Sequence, residues 1–239
     1  MLTDYVVIDL EMTGLNVKTD RILEVGAARV HGNVVTDTFS EVINPKRKLS
    51  EKVVSLTGIT NEMAEQGKEM DTTLGAFFAF IGEDILVGQN VIFDYSFLKQ
   101  WAVNHKQSFE RNAVDTLKLA RKFLPEEQKK DLASLCEYFK IERVHAHRAL
   151  DDVLETQQIF EQLQNLYAEK MPEAFQPYPL QYKVKKQSLA TPQQMKYLKQ
   201  FVDFHQIPMP ELSEEVTRSE VSMLTDQLIA RYGKIKKES

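Results

Sequence analysis

The sequence has few of the features that mark a membrane protein or a disulfide-rich secreted protein. Its 239 residues include a single cysteine, Cys136, so no disulfide can form within the chain. The longest mostly apolar run, residues 74–82, is far shorter than the roughly 18 residues of a membrane-spanning helix. The first residues have neither a basic segment nor a long apolar one, which predicts that there is no secretory signal. We therefore expect a soluble protein of a reducing compartment, the cytoplasm, with no membrane partner.

An excess of positive charge is also missing. The chain has 30 basic and 35 acidic residues, a net charge of −5, which excludes a protein that coats nucleic acid by bulk electrostatics. An enzyme that acts on nucleic acid through bound metal cations stays open, because such cations reverse the local sign of an acidic cleft. The charge is uneven: from Lys183 to the end there are 10 basic and 7 acidic residues, a net charge of +3.

Strand and helix patterns alternate along the first 170 residues. The apolar, β-branched run at residues 5–9 predicts a strand buried on both faces. Residues 21–31 and 34–43 are strand candidates joined by Gly32 and Asn33, which predicts an antiparallel hairpin. The further elements expected, in order, are a helix at 74–81, a strand at 85–88, a helix at 93–104, a strand at 113–115 and helices at 117–123, 132–140 and 149–169. This order is typical of an α/β fold with a mixed sheet.

The chain after residue 170 is expected to be organised separately from residues 1–170. Prolines at 172, 177 and 179 exclude a helix or a central strand, so residues 171–190 are interpreted as an extended basic linker. Thr191 and Thr217 begin capping boxes, which predict two helices within residues 191–239. These helices form either a small module of their own or a pair docked on the main domain. With no catalytic motif in them, we expect them to be dispensable for chemistry.

Three acidic residues stand out at the ends of predicted strands. Asp9 and Glu11 lie two apart, where strand side chains point to the same side, and two carboxylates there repel each other unless a cation lies between them. The alternative is an acidic loop at a strand end. Asp94 follows the strand at 85–88 near the start of a helix, where the alternative is a charge favoured by the helix dipole.

His147 and Asp152 open the last long helix. Five helical residues turn by about 500°, so both side chains reach one site only if His147 lies in the loop before the helix. A loop histidine beside a metal site suits a general base, because it titrates near neutral pH. The alternative is a solvated loop residue. His145 competes for the role, but no acid lies five residues after it.

The three segments that carry these residues resemble the motifs of the DEDDh 3′–5′ exonucleases. Residues 6–15, 87–98 and 147–152 read VVIDLEMTGL, VGQNVIFDYSFL and HRALDD. The similarity covers residues 4–165 and is greatest to the DnaQ-like proofreading exonucleases of bacterial DNA polymerase III, the epsilon subunit and the PolC exonuclease. Residues 56–60, LTGIT, fit the same group.

The resemblance implies an RNase H-like fold, with a five-stranded mixed sheet, an antiparallel second strand and helices on both faces. It implies four metal-binding acids, Asp9, Glu11, Asp94 and Asp152, and a general base, His147. Because all four ligands are hard carboxylates, two Mg²⁺ or Mn²⁺ ions are expected. The residues expected to shape the pocket for the 3′-terminal nucleotide are Thr13, Gly14, Leu15, Asn90 and Phe97.

The function that the resemblance implies is a metal-dependent 3′–5′ exonuclease. It would remove nucleoside 5′-monophosphates from single-stranded or frayed 3′ ends of DNA, in proofreading or repair with a DNA polymerase. An alternative is an exoribonuclease of very short RNA, because the first and third motifs are also similar to oligoribonuclease. A third hypothesis is a non-catalytic module that binds a polymerase; loss of a catalytic residue would favour it, and all five are present.

Overall fold

A six-stranded mixed sheet is the framework of the protein. The computed structural model describes residues 1–143, 148–184, 186–210, 212 and 216–235. The strands are β1 (Tyr5–Met12), β2 (Ile22–His31), β3 (Val34–Val42), β4 (Leu86–Gly88), β5 (Asn112–Asp115) and β6 (Tyr178–Pro179). Their spatial order is β3-β2-β1-β4-β5-β6. β2 runs antiparallel to β1 and β3, and β4 runs parallel to β1 and β5, so the predicted mixed sheet and hairpin are confirmed.

The sixth strand corrects the expectation of five strands. It lies within residues 171–190, the segment interpreted from the sequence as a linker. A 3-10 helix, Pro172–Phe175, leads into β6, which pairs antiparallel with Asn112 and Ala113 of β5. Proline is tolerated there because β6 is an edge strand that pairs with β5 at only two positions, so the absence of a proline N–H removes little hydrogen bonding. Phe175 and Leu180 are buried and anchor this segment on the domain.

Helices cover both faces of the sheet. They are α1 (Glu51–Thr57), α2 (Asn61–Gln66), α3 (Met70–Ile81), α4 (Ile92–Asn104), α5 (Thr116–Phe123), α6 (Leu132–Phe139), α7 (Ala149–Tyr167), α8 (Pro192–His205) and α9 (Arg218–Tyr232). The sequence analysis missed α1 and α2, which have seven and six residues and are too short for a helical period. Across the described parts of the chain, no helix is both long and apolar enough to cross a membrane.

The alternation of side chains along β1 places the candidate site. Val6 and Ile8 point into the core formed with α3 and α4, whereas Tyr5 and Val7 point into the core formed with α5, α6 and α7. The run is therefore buried on both faces, as predicted. Because the period of a strand is two, the side of Tyr5 and Val7 continues through residues 9 and 11, toward the first turn of α7.

The C-terminal helices α8 and α9 form a hairpin with a small core of its own. Leu198, Val202, Val216 and Val221 are its buried apolar residues. Both predicted capping boxes are present, with Thr191 paired to Gln194 and Thr217 paired to Glu220.

Candidate active site

Three of the predicted acids meet at the end of β1. Asp9 and Glu11 are on the face of the strand that is covered by α7, and Asp152 is in the first turn of that helix. Each offers a carboxylate oxygen, and these oxygens lie within 4.8 Å of one another. Asp9 and Glu11 are half-buried and Asp152 is buried, so the cluster lies just below the surface and is partly open to solvent. This arrangement can hold a divalent cation.

Asp94 approaches the same end of β1 from the other neighbouring element. β1 pairs with β4 only at Val6 and Val7, so the two parallel strands separate before the acids. In the opening, the backbone N–H of Leu10 donates to Asp94 Oδ1 at 3.1 Å. Asp94 is in the first turn of α4 and is buried. A site at the carboxyl ends of parallel strands is the usual place for ligand binding in open α/β sheets.

Mutual repulsion and burial make the protonated forms of these carboxylates favourable. Burial, followed by the charges of Asp152, Glu24 and Asp94, raises the pKa of Glu11 to about 8. Burial raises the pKa of Asp94 to about 8, although backbone N–H groups that bond its carboxylate act in the opposite direction. Burial and then the neighbouring carboxylates hold the pKa of Asp9 well above its ordinary range. Bound cations would remove this cost, and an all-carboxylate donor set fits hard divalent ions.

A buried acid that the sequence analysis missed, Glu24, anchors the start of α7. It lies opposite Glu11 in the β1–β2 ladder and is 1% exposed. Arg148 donates to Glu24 Oε1 from Nη2 at 2.8 Å, and the N–H of Ala149 donates to Glu24 Oε2 at 3.1 Å. A lone glutamate in the apolar run of β2 was the signal that could have revealed it, because buried carboxylates need a partner.

Gly26, on the same face of β2 as Glu24, permits the close approach of α7. A Cβ at this position would lie 2.5 Å from the carbonyl carbon of Ala149 and 2.8 Å from the N of Leu150. The first turn of the helix therefore lies directly on the strand. Asp152, three residues after Ala149, is placed toward Asp9 and Glu11 by this contact.

Arg143 is a second missed residue and contacts the acid cluster directly. Its Nη2 lies 2.9 Å from Asp152 Oδ1, and its Nε lies 2.8 Å from Glu155 Oε2. The guanidinium thus places a positive charge at the edge of the carboxylates. Nothing in the spacing of the sequence indicates this contact, because Arg143 precedes the helix that carries both acids.

The general base assignment is not tested by the structure. His147 and its competitor His145 lie outside the described residues. The structure does describe the start of α7, with Arg148 as its N-cap and Ala149 as its first residue. His147 therefore precedes the helix in sequence, and its role stays a prediction.

The residues predicted to form the nucleotide pocket lie at the ends of β1 and β4 and in α4. Leu15 is 79% exposed, whereas Phe97 is 4% exposed and packs edge-on against Phe93. Asn90 adopts a positive φ of 60° just after β4, and its N–H donates to Asp115 Oδ1 at 3.1 Å. Asp115 also caps the N-terminus of α5.

Thr13 and Gly14 belong to the β1–β2 loop, residues 13–21, which is held together by Asp20. The Thr13 hydroxyl donates to Asp20 Oδ1 at 3.2 Å, and the N–H of Asn16 donates to Asp20 Oδ2 at 2.8 Å. A Cβ at Gly14 would lie 2.6 Å from the same carboxylate. A larger residue at this position would displace the Asp20 carboxylate from its contacts with the loop. The contacts of these residues with a nucleotide remain a prediction.

Comparison with known proteins finds exonucleases and DNA polymerase III proteins. The exonuclease family model, RNase_T, matches residues 6–160. The chain is 36% identical over 157 residues to the DNA polymerase III subunit epsilon of Aquifex aeolicus, covering 65% of this chain and 78% of that protein. It is 39% identical over 153 residues to the PolC-type DNA polymerase III of Bacillus subtilis, covering 62% of this chain and 10% of that protein. The match thus spans about a tenth of the length of the PolC-type relatives.

Solved structures share the fold. The nuclease domain of 3′hExo, a DEDDh family member bound to rAMP, has a TM-score of 0.61 at 18% identity, covering 74% of this chain and 96% of that chain. Exonuclease X in complex with 5′ overhanging duplex DNA has a TM-score of 0.57 at 23% identity, covering 71% of this chain and 98% of that chain. The fold is therefore the RNase H-like fold of these exonucleases. Because the family model covers more than half of the sequence and the epsilon subunit is matched over most of its length, the chain belongs to the exonuclease family.

Proposed function

We propose that this protein is a metal-dependent 3′–5′ exonuclease that removes nucleoside 5′-monophosphates from DNA. The observation that carries the proposal is the meeting of Asp9, Glu11 and Asp152 within 4.8 Å, with Asp94 bonded to the strand between them. Three carboxylates this close, with the charge of Asp94 acting on two of them, are costly unless cations compensate them. Hydrolysis of a phosphodiester is a reaction that such cations assist.

Asp9, Glu11, Asp94 and Asp152 would hold two divalent ions, Mg²⁺ or Mn²⁺. Such ions, when bound, activate a water molecule and stabilise the leaving 3′-oxygen. The side chains of the protein would hold the ions in place and accept a proton. Each carboxylate is fixed by a rigid element, which keeps the donor set preorganised. His147 is proposed to accept the proton of the attacking water, because a base whose pKa is near neutrality is effective at physiological pH.

The proposed substrate is the 3′ end of a DNA strand, and the proposed partner is a DNA polymerase. The names of the sequence relatives, the epsilon subunit and the PolC-type enzyme, support this choice. Thr13, Gly14, Leu15, Asn90 and Phe97 are proposed to shape the pocket for the terminal nucleotide. We also propose that the protein acts in the cytoplasm.

The test uses the purified full chain with Mg²⁺ or Mn²⁺ on 5′-labelled single-stranded DNA, duplex DNA with a mismatched 3′ end, long RNA and very short RNA. We expect stepwise shortening of DNA from the 3′ end, faster at a mismatched end than at a paired one, because a frayed end is easier to unpair. Asp9→Asn should abolish the activity. Glu137→Gln, which changes an exposed carboxylate of α6, should not.

Three results would overturn parts of the proposal. Cleavage of a circular single strand would exclude an exonuclease. Full activity in excess chelator would exclude the metal assignment. Clear preference for very short RNA would assign the protein to the oligoribonuclease type instead.

A further inference from the structure

A buried carboxylate of the C-terminal hairpin contacts the main domain. Glu220, in the first turn of α9, has a side chain that is 7% exposed. Its Oε1 accepts from Arg21 Nη2 at 2.6 Å and from Arg47 Nη2 at 2.5 Å. Its Oε2 accepts from the N–H and the hydroxyl of Thr217, both at 2.9 Å, in the capping box of the helix. Both oxygens are therefore occupied, and one charge serves two guanidinium groups.

The two arginines connect Glu220 to the β1–β2 loop. Arg21 closes the loop, and its N–H donates to the hydroxyl oxygen of Thr13 at 2.9 Å. Arg47 donates from Nη1 to the backbone oxygen of Thr19 at 2.9 Å. Because the two guanidinium groups have the same charge and share one acceptor, their arrangement depends on the carboxylate of Glu220.

The segment before α8 makes a second contact with the same loop. Gln187 donates from Nε2 to the backbone oxygen of Lys18 at 2.8 Å. The backbone N–H of Gln187 donates to Asn104 Oδ1 at 3.0 Å, which fixes the segment on the end of α4. α9 and the loop also face each other across an open cleft of about 520 Å³, lined by Asn16 and Lys18 on one side and by Met223 on the other.

We infer that the C-terminal hairpin positions the pocket for the terminal nucleotide, and that Glu220 is its positioning residue. The inference rests on the proposed function, because Thr13, Gly14 and Leu15 belong to the loop that Glu220 and Gln187 hold. The acid cluster does not need this contact, since β1, α4 and α7 place its carboxylates. The hairpin therefore acts on binding of the strand end rather than on hydrolysis. It would be dispensable for chemistry, as expected from the sequence, but not for binding of the substrate.

The kinetic test uses the full chain with Glu220→Gln. Glutamine keeps one acceptor oxygen for the capping box, removes the charge and places an NH2 donor where the two arginines had their acceptor. We expect KM for a short single-stranded DNA to rise by about tenfold or more, the worth of one charged hydrogen bond, with kcat nearly unchanged. Gln187→Ala should act in the same direction. Asp203→Asn, which removes an exposed charge from α8 of the same hairpin, should leave both constants unchanged.

Coupling of the charges gives a second readout. Arg47→Gln combined with Glu220→Gln should be less harmful than the two single changes predict together, because the two side chains belong to one cluster. Unchanged KM in Glu220→Gln, or a loss confined to kcat, would overturn the inference. Thermal unfolding confirms that each variant is folded at the assay temperature.

Hydrogen exchange separates this inference from the proposed function. Amide exchange in residues 13–20 should be faster in Glu220→Gln than in the wild type, with no change in β1, whether or not the protein cleaves DNA. If the wild type is inactive but residues 13–20 exchange faster in Glu220→Gln than in the wild type, the exonuclease proposal is refuted and the anchoring role of Glu220 is retained. Active protein with unchanged loop exchange and unchanged KM would refute the role of the hairpin alone.

Discussion

Removing one charge from the acid cluster should stabilise the metal-free protein, and Glu11→Gln is the sharpest form of this experiment. Glutamine retains the size of the side chain but cannot ionise. The pKa of Glu11 is about 8 in the folded protein, compared with an ordinary value of 4.5, because of burial and the neighbouring carboxylates. The folded state thus keeps a proton that the unfolded chain releases between these two pH values.

The sign of the effect follows from this difference. A carboxylate whose pKa is raised in the folded state lowers stability as pH increases from about 4.5 to about 8, after which the loss is constant. Each pKa unit corresponds to about 1.4 kcal/mol, so the free energy of unfolding falls by at most about 5 kcal/mol. Protonation of a neighbouring carboxylate relieves part of the same repulsion, so we expect a gain of about 2 kcal/mol for Glu11→Gln at pH 8.

The assay is thermal unfolding, followed by circular dichroism in excess chelator at pH 5 and pH 8. A gain of about 2 kcal/mol corresponds to roughly 4–8 °C in Tm for a chain of this size. The difference in Tm between Glu11→Gln and the wild type should be small at pH 5 and larger at pH 8. Glu137→Gln is the control, since Glu137 is exposed. Added Mg²⁺ should raise the Tm of the wild type more than that of Glu11→Gln. An equal gap at both pH values, or a less stable Glu11→Gln at pH 8, would refute the reasoning.

Three further predictions concern the residues around the start of α7. His147→Ala should lower kcat by roughly 10²–10⁴-fold, the usual contribution of a general base, with metal binding retained in calorimetry. Glu24→Ala should lower kcat by about tenfold with KM nearly unchanged, because Arg148 and the N–H of Ala149 lose the acceptor that fixes the helix start; equal loss in KM would point to a general disturbance. Gly26→Ala should lower the free energy of unfolding by about 1–3 kcal/mol in chemical denaturation, since its Cβ would lie 2.5 Å from Ala149.

The sequence was sufficient to predict the elements that bury an apolar face. β1 to β5 and the longer helices follow from runs and periods in the chain, and both capping boxes are confirmed. The missed elements are short. α1 and α2 have too few residues to show a helical period of apolar positions. β6 is held in place by the burial of the flanking residues Phe175 and Leu180 against the domain. Such segments are set by tertiary contacts that no local pattern contains.

The candidate site divides in the same way. The spacing of Asp9 and Glu11 predicts two carboxylates on one side of a strand, and the structure confirms that they share a face. Their meeting with Asp152 joins residues more than 140 positions apart, so the resemblance to a family was needed to predict it. Glu24 and Arg148 were missed because an ion pair between residues 124 positions apart has no signature in spacing.

The two-residue strand β6 has a consequence for how the protein can be divided. Because Tyr178 and Pro179 cover the backbone of β5, a fragment that ends at residue 170 would leave that strand as an unprotected sheet edge. Such an edge is a template for pairing with other chains, and Pro179, which has no N–H to offer, is a poor partner for a further strand. A fragment ending at residue 170 is therefore expected to self-associate and precipitate, whereas one ending at residue 181 retains the protective strand. Light scattering of the two fragments at equal concentration measures the difference.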